Sequence, residues 1–134
     1  MRPRLAPAPA VHSFLAFDFG TARVGVASGN SLTASATPLC TVAAQGEARF
    51  EAIGRLIAEW QPAALVVGVP FHPDGAVHVN TERARRFGRR LKARFGLPVH
   101  EVDERYTTTE ARGAHDVDAA AAAIILEQFL GSHT

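Results

Sequence analysis

The hydrophobic positions of this chain follow two rhythms. Phe14 to Phe17 are apolar without a break in "FLAFDFG", which predicts a strand buried on both faces. After the turn "TAR", Val24–Ser28 ("VGVAS") forms a second strand, close enough in sequence for an antiparallel hairpin. The weak alternation of Ser31–Leu39 predicts a third strand ending at Pro38. Between Glu47 and Gln61 the rhythm changes, and Phe50, Ile53, Leu56, Ile57 and Trp60 recur at helical spacing before Pro62 stops the helix. "ALVVGVP" (Ala64–Pro70) is again strand, and "FHPDGA" is a loop. A second helix is predicted over Val79–Phe95, with Ala84, Phe87, Leu91 and Phe95 on one stripe and Gly96 suited to the position just past its end. "LPVHEVDE" is a short strand. "TTTEAR" opens a helix with a capping box of Thr107 and Glu110, and a last helix runs over Val117–Leu130.

A hairpin followed by strand–helix–strand crossovers gives an α/β protein: a mixed five-stranded sheet with helices on both faces. Residues 1–13, rich in proline and alanine, read as a flexible tail, and residues 14–134 as a single domain. The chain of 134 residues has a net charge of +1, so overall charge does not select an anionic partner. Cys40 is the single cysteine, which excludes an intrachain disulfide and fits a reducing cytoplasm. No stretch reaches the ~18 apolar residues of a membrane span, and the first residues lack the apolar run of a signal peptide.

Chemistry enters with Asp18, a carboxylate set inside the first buried run. An unpaired buried charge costs several kcal/mol, so this position calls for a partner. Asp103 and Glu104 stand at the end of the last strand, and Asp116 and Asp118 at the start of the last helix. Residues two apart on a helix diverge by about 200°, so only one of that pair can face the sheet. Asp118 shares its face with Ala122, Ile125 and Phe129, the core stripe, whereas Asp116 lines up with Ala120, Ala123 and Glu127. Asp118 therefore points inward, and Asp116 caps the helix or faces water. Asp103 and Glu104 point to opposite sides of their strand, and spacing leaves open which of them meets Asp18. Three converging carboxylates about 4 Å apart repel by roughly 4 kcal/mol per pair at an effective dielectric near 20. Protons or a hard divalent cation, Mg²⁺ or Mn²⁺, would relieve that repulsion. Carboxylates holding such ions are suited to phosphodiester cleavage.

The basic residues are concentrated: seven of the 14 lie between Arg83 and Arg94, with Arg83, Arg86, Arg90 and Arg94 on one helix face. The stripe reads as a phosphate-binding surface or as a solvated face. Arg23 and Arg105 flank the carboxylate motifs and are candidates for substrate phosphate, Arg105 equally for pairing with an acid. Thr107 is a helix cap with a secondary phosphate-contact reading. Gly68 would admit substrate to a strand end or pack tightly under a helix. Gly20 and Gly25 suit a tight turn and close approach near the site.

Together "FLAFDFGTARVGVASG", "ALVVGVPFHPDG", "VDERYTTTEAR" and "VDAAAAAIILEQFL" resemble, in order and spacing, the blocks of the YqgF family of RNase H-like proteins. Members of that family are described as Holliday-junction resolvases and as pre-16S rRNA nucleases. The resemblance spans Phe14 to Leu130 and implies an RNase H-like fold. It implies Mg²⁺- or Mn²⁺-dependent cleavage of nucleic acid, with Asp18, Glu104 and Asp118 as the catalytic, metal-holding carboxylates. It thereby favours Glu104 over Asp103. Only "GAHD" (Gly113–Asp116) separates Glu-Ala-Arg from the final Val-Asp, a shorter segment than the family carries. The expected activity is RNA endonucleolysis in 16S rRNA maturation by a monomer or homodimer. DNA-junction resolution and a non-catalytic nucleic-acid-binding factor are the alternatives. "DFGTARVG" also resembles the phosphate loop of actin-like ATPases, which close two such domains on a nucleotide.

Overall fold

A computed structural model describes residues 12–72, 74–77, 79–104 and 117–132. Its elements in chain order are β1 (Ser13–Phe19), β2 (Val24–Asn30), β3 (Ala36–Val42), α1 (Gly46–Trp60), β4 (Ala64–Val69), α2 (Val79–Phe95), β5 (Val99–Asp103) and α3 (Val117–Ser132). They build the expected mixed sheet, ordered β3-β2-β1-β4-β5. β1 pairs antiparallel with β2 and parallel with β4, and β4 is parallel to β5. The capping box at Thr107 and Glu110, Arg105, and the segment Gly113–Asp116 lie outside the described residues.

The alternation along β2 decides which helix goes where. Val24 and Val26 face one side, where Leu15, Phe17, Leu65 and Val67 join Phe50 and Ile53 of α1 and Phe87 and Leu91 of α2. Gly25, Ala27 and Gly29 face the other side and leave a shallow trough. The alanine-rich α3 lies in it: Ala27 packs on Ala122 and Ala123. Farther across the sheet, Ala16 and Val66 pack on Ile125, Leu126 and Phe129. Small residues on both partners bring helix and sheet backbones close, and this places the first turn of α3 over the end of β1.

The third strand differs from the reading made on sequence. It spans Ala36–Val42, five residues later than Ser31. Asn30 is the reason: its side-chain oxygen accepts from the backbone N–H of Leu32 and Thr33, both at 3.0 Å, and holds a turn where strand was expected. Pro38 lies within this strand rather than at its end. β3 is an edge strand, and its register slips beside Pro38, since Val26 pairs with Cys40 but Ala27 with Pro38. An edge with an irregularity is where a residue lacking an N–H is tolerated in a sheet.

The helices α1 and α2 fall where the periodicity put them. α1 ends at Gln61, which takes a left-handed conformation (φ 46°) and donates its N–H to the Ile57 carbonyl. α2 ends at Gly96 (φ 68°), whose N–H bonds the Lys92 carbonyl at 2.9 Å. Gly88, inside α2, is different: a Cβ there would meet Val99 at 3.4 Å and Val67 at 3.8 Å, ordinary contact distances. Gly88→Ala is therefore expected to stabilise the fold by about 0.5–1 kcal/mol through helix propensity. Urea denaturation checks it.

Candidate active site

Asp18 is the sixth of the seven residues of β1, with Gly25 of β2 opposite on one side and Gly68 of β4 on the other. Both neighbours in this row of the sheet lack a side chain, and the space is used. A Cβ on Gly25 would overlap the carbonyl oxygen of Asp118 and stand 2.9 Å from the Ala119 nitrogen. A Cβ on Gly68 would overlap Ile125 and stand 2.7 Å from Oε2 of Glu104. The two glycines thus admit the two elements that carry the other carboxylates, one on each side of Asp18.

Glu104 follows β5 directly. Its N–H donates to the Val69 carbonyl at 3.2 Å, extending the β4–β5 pairing by one residue and fixing its direction. That direction settles what spacing left open: Glu104 is 9% exposed and faces Asp18, whereas Asp103 is exposed. Asp118 sits half-buried in the first turn of α3, and the face predicted to point inward is the buried one, with Ala122, Ile125 and Phe129 all in the core.

The electrostatics follow from this crowding. Burial pushes the Glu104 carboxyl up to about 8. The Asp18 charge and the hydrogen bond Glu104 donates to Asp18 push the same way, as does the charge of Asp103. Asp18 is raised to about 6, again chiefly by burial, with the hydrogen bond from Glu104 pulling down and the Asp118 charge pushing up. Both carboxyls therefore keep their protons above the ordinary carboxylate range, and a proton is shared along the hydrogen bond between them. Asp118 is handled differently: its Oδ2 accepts from Nε of Arg23 at 2.9 Å. Arg23 is 64% exposed, so this ion pair contributes at most about 1 kcal/mol.

The sequence candidates therefore divide. Asp18, Glu104 and Asp118 meet at one sheet edge. Arg23 joins them by pairing with Asp118. Gly68 is buried beneath Ile125 and Glu104, the close packing that was one of its two readings. Gly25 gives the close approach expected of it, but to the α3 backbone. Arg105, Thr107 and Asp116 lie outside the described residues.

Arg49 was missed. It is 6% exposed, and its guanidinium donates to the carbonyls of Ala44 and Thr21, each at 3.0 Å, tying the β1–β2 turn to the entry of α1. Burial lowers its pKa. The signal was its spacing: Arg49 is four residues before Ile53, on the buried stripe of α1.

The donor set fits a hard divalent cation. It is all carboxylate oxygen, and a cation would relieve the repulsion between its two inner members in place of a proton. Among the described residues no three acidic, histidine or cysteine groups stand together closely enough to hold an ion at once. Asp118, turned to Arg23, is the member that would have to swing.

A mixed sheet in this order, with α3 against β1 and β2 and carboxylates at the strand ends, defines an RNase H-like protein. Among solved structures it is similar to Thermus thermophilus RuvC in complex with a Holliday junction substrate. The TM-score is 0.56 at 15% identity, over 90% of this chain and 94% of that one. A second Thermus thermophilus RuvC structure matches at a TM-score of 0.52 and 14% identity, over 90% of this chain and 95% of that one. Residues 12–132 match the RuvX family, described as Holliday junction resolvase, and the chain belongs to that family, the YqgF family of the sequence resemblance. It is 66% identical over 124 residues to a Polaromonas protein, covering 91% of this chain and 90% of that protein. It is 55% identical to a Paraburkholderia phytofirmans protein, covering 92% and 91%. Both relatives carry the name "Putative pre-16S rRNA nuclease".

Proposed function

We propose that this protein is a Mg²⁺- or Mn²⁺-dependent endonuclease that hydrolyses phosphodiester bonds in precursor 16S rRNA. It would work in the cytoplasm, with Asp18, Glu104 and Asp118 as its catalytic carboxylates. The observation that carries this reading is the hydrogen-bonded contact of the Asp18 and Glu104 carboxyls at the sheet edge, with Asp118 brought alongside by Gly25. The names of its relatives favour RNA as substrate.

These three carboxylates would hold the metal, which when bound activates a water nucleophile and stabilises the leaving oxygen. The chain's own residues set the terms. β1 is a central strand, so Asp18 is fixed by pairing on both sides. Glu104 would hold the cation in place of the proton it shares with Asp18. Arg23 neutralises Asp118 until then, and its exposed guanidinium is then placed to meet a substrate phosphate.

The test is a cleavage assay on a precursor-rRNA fragment with Mg²⁺, Mn²⁺ or chelator, beside a four-way DNA junction. Metal-dependent cutting of the RNA is expected, with the junction cut more slowly. Preferential junction cutting would support the second reading, resolution of DNA junctions, which the family's description favours. Metal-independent cutting of either substrate would contradict both.

A further inference from the structure

On the opposite face of the sheet from the carboxylates, α1 and α2 leave a cleft beside the β1–β2 turn. Its walls carry four arginines, Arg49, Arg83, Arg86 and Arg90, and among the described residues no acid lines it. Phe19, Phe50 and Phe87 form an aromatic floor, with ring centroids 5.1 Å apart for Phe19 and Phe87 and 6.0 Å for Phe50 and Phe87.

The arginines of α2 are sorted by face. Arg85 pairs with Glu101, Arg89 with Glu82, and Arg94 with Glu47. These pairs occupy acids on and beside the helix. Arg83, Arg86 and Arg90, at helical spacing of three and four, line the cleft, Arg83 also donating to Asn80 Oδ1 at 3.3 Å and Arg86 lying in the field of Glu82. Arg90 is stacked 4.5 Å from the centroid of Phe50, which holds its planar guanidinium in place while leaving N–H donors for an anion. Arg49 contributes field rather than donors, since two of its nitrogens already serve Ala44 and Thr21.

The position links this cleft to the carboxylates. Phe19, in its floor, is the residue after Asp18, and Thr21, in its wall, belongs to the turn that carries Arg23 to Asp118. α2 starts at the sheet edge where β4 ends, so its first arginines stand at the edge that bears Asp18 and Glu104. We propose that this cleft binds the phosphodiester backbone of the polynucleotide flanking the cleavage position, with Arg83, Arg86 and Arg90 as phosphate ligands. A strand crossing the β1–β2 turn would then touch both faces of the sheet. The inference rests on the reading of this chain as a nucleic-acid enzyme.

The test separates it from that reading by measuring binding in chelator, where no metal-dependent cutting occurs. Fluorescence anisotropy with labelled single-stranded and duplex RNA would be recorded over a salt series. The variants are R83Q/R86Q/R90Q and, as a control of equal charge, R85Q/R89Q/R94Q. The cleft variant is expected to bind at least about tenfold more weakly, with the slope of log K against log salt reduced by about 2, or 0.7 per phosphate contact on a single strand. The control should change far less. Whichever RNA form loses affinity is the form the cleft holds. Equal losses in the two triple variants, no loss in the cleft variant, or no binding by wild type would each overturn the proposal. Loss of cleavage alone would leave it standing.

Discussion

Asp18→Asn and Glu104→Gln should each reduce metal-dependent cleavage by at least about 10²–10³-fold and, at pH 8 in chelator, make the fold more stable. The two effects share one cause. In the unfolded chain both carboxyls ionise near their ordinary values, 3.8 and 4.5, whereas in the folded chain they hold protons up to about 6 and about 8. The folded state therefore binds more protons between these limits, and stability falls as pH rises from about 4 through about 8. Below pH 4 the contribution is fully present, and above pH 8 it is gone. Each tenfold change in proton affinity is worth about 1.4 kcal/mol, so removing one of the two charges should recover roughly 1–3 kcal/mol at pH 8. A divalent ion at 100 times its Kd would restore about 2.7 kcal/mol to the wild type and little to either variant. Urea denaturation from pH 5 to 9, with chelator and with Mg²⁺, reads all of this. A wild-type stability that rises across that range in chelator would contradict the shared-proton pair.

The second large effect belongs to a glycine. In Gly25→Ala the new methyl would overlap the Asp118 carbonyl oxygen, part of a helix backbone that cannot rotate aside as a side chain can. The start of α3 must lift from β2, at a cost of about 2 kcal/mol or more and a Tm lower by on the order of 5–10 °C. Because Asp118 moves with it, cleavage should fall by about 10²-fold even where the protein remains folded. Gly68→Ala offers the contrast. The atoms its methyl meets belong to the Ile125 and Glu104 side chains rather than to backbone, and side chains can shift by rotamer where a helix backbone cannot. Its stability loss should be smaller, while displacement of Glu104 still lowers cleavage. Equal thermal shifts for Gly25→Ala and Gly68→Ala would contradict this account of how the site is packed.

The sequence made much of this visible because burial and period leave direct traces. The unbroken apolar run before Asp18, the stripe on α2 and its terminal Gly96 led to the right elements. The helical face of Ala122, Ile125 and Phe129 chose Asp118. What it hid depends on contacts between distant segments. Spacing could not choose Glu104 over Asp103, a choice that the family resemblance favoured and a backbone bond to Val69 fixes, and β3 is delayed by the side chain of Asn30. Gly68 kept two readings because Ile125 and Glu104, the groups that fill its space, come from α3 and the end of β5. Arg49 was overlooked because a charged residue on an apolar stripe reads as a surface residue until its carbonyl partners are seen.

The central claim is that Asp18, Glu104 and Asp118 form one metal-binding centre primed by a displaceable proton. Calorimetric titration of Mn²⁺ at pH 7, in two buffers of different ionisation enthalpy, tests it most directly. Saturable binding with release of about one proton per ion is expected, with that release lost in Glu104→Gln and affinity sharply reduced in Asp18→Asn. Binding without proton release, or equal affinity in the wild type and both variants, would contradict it.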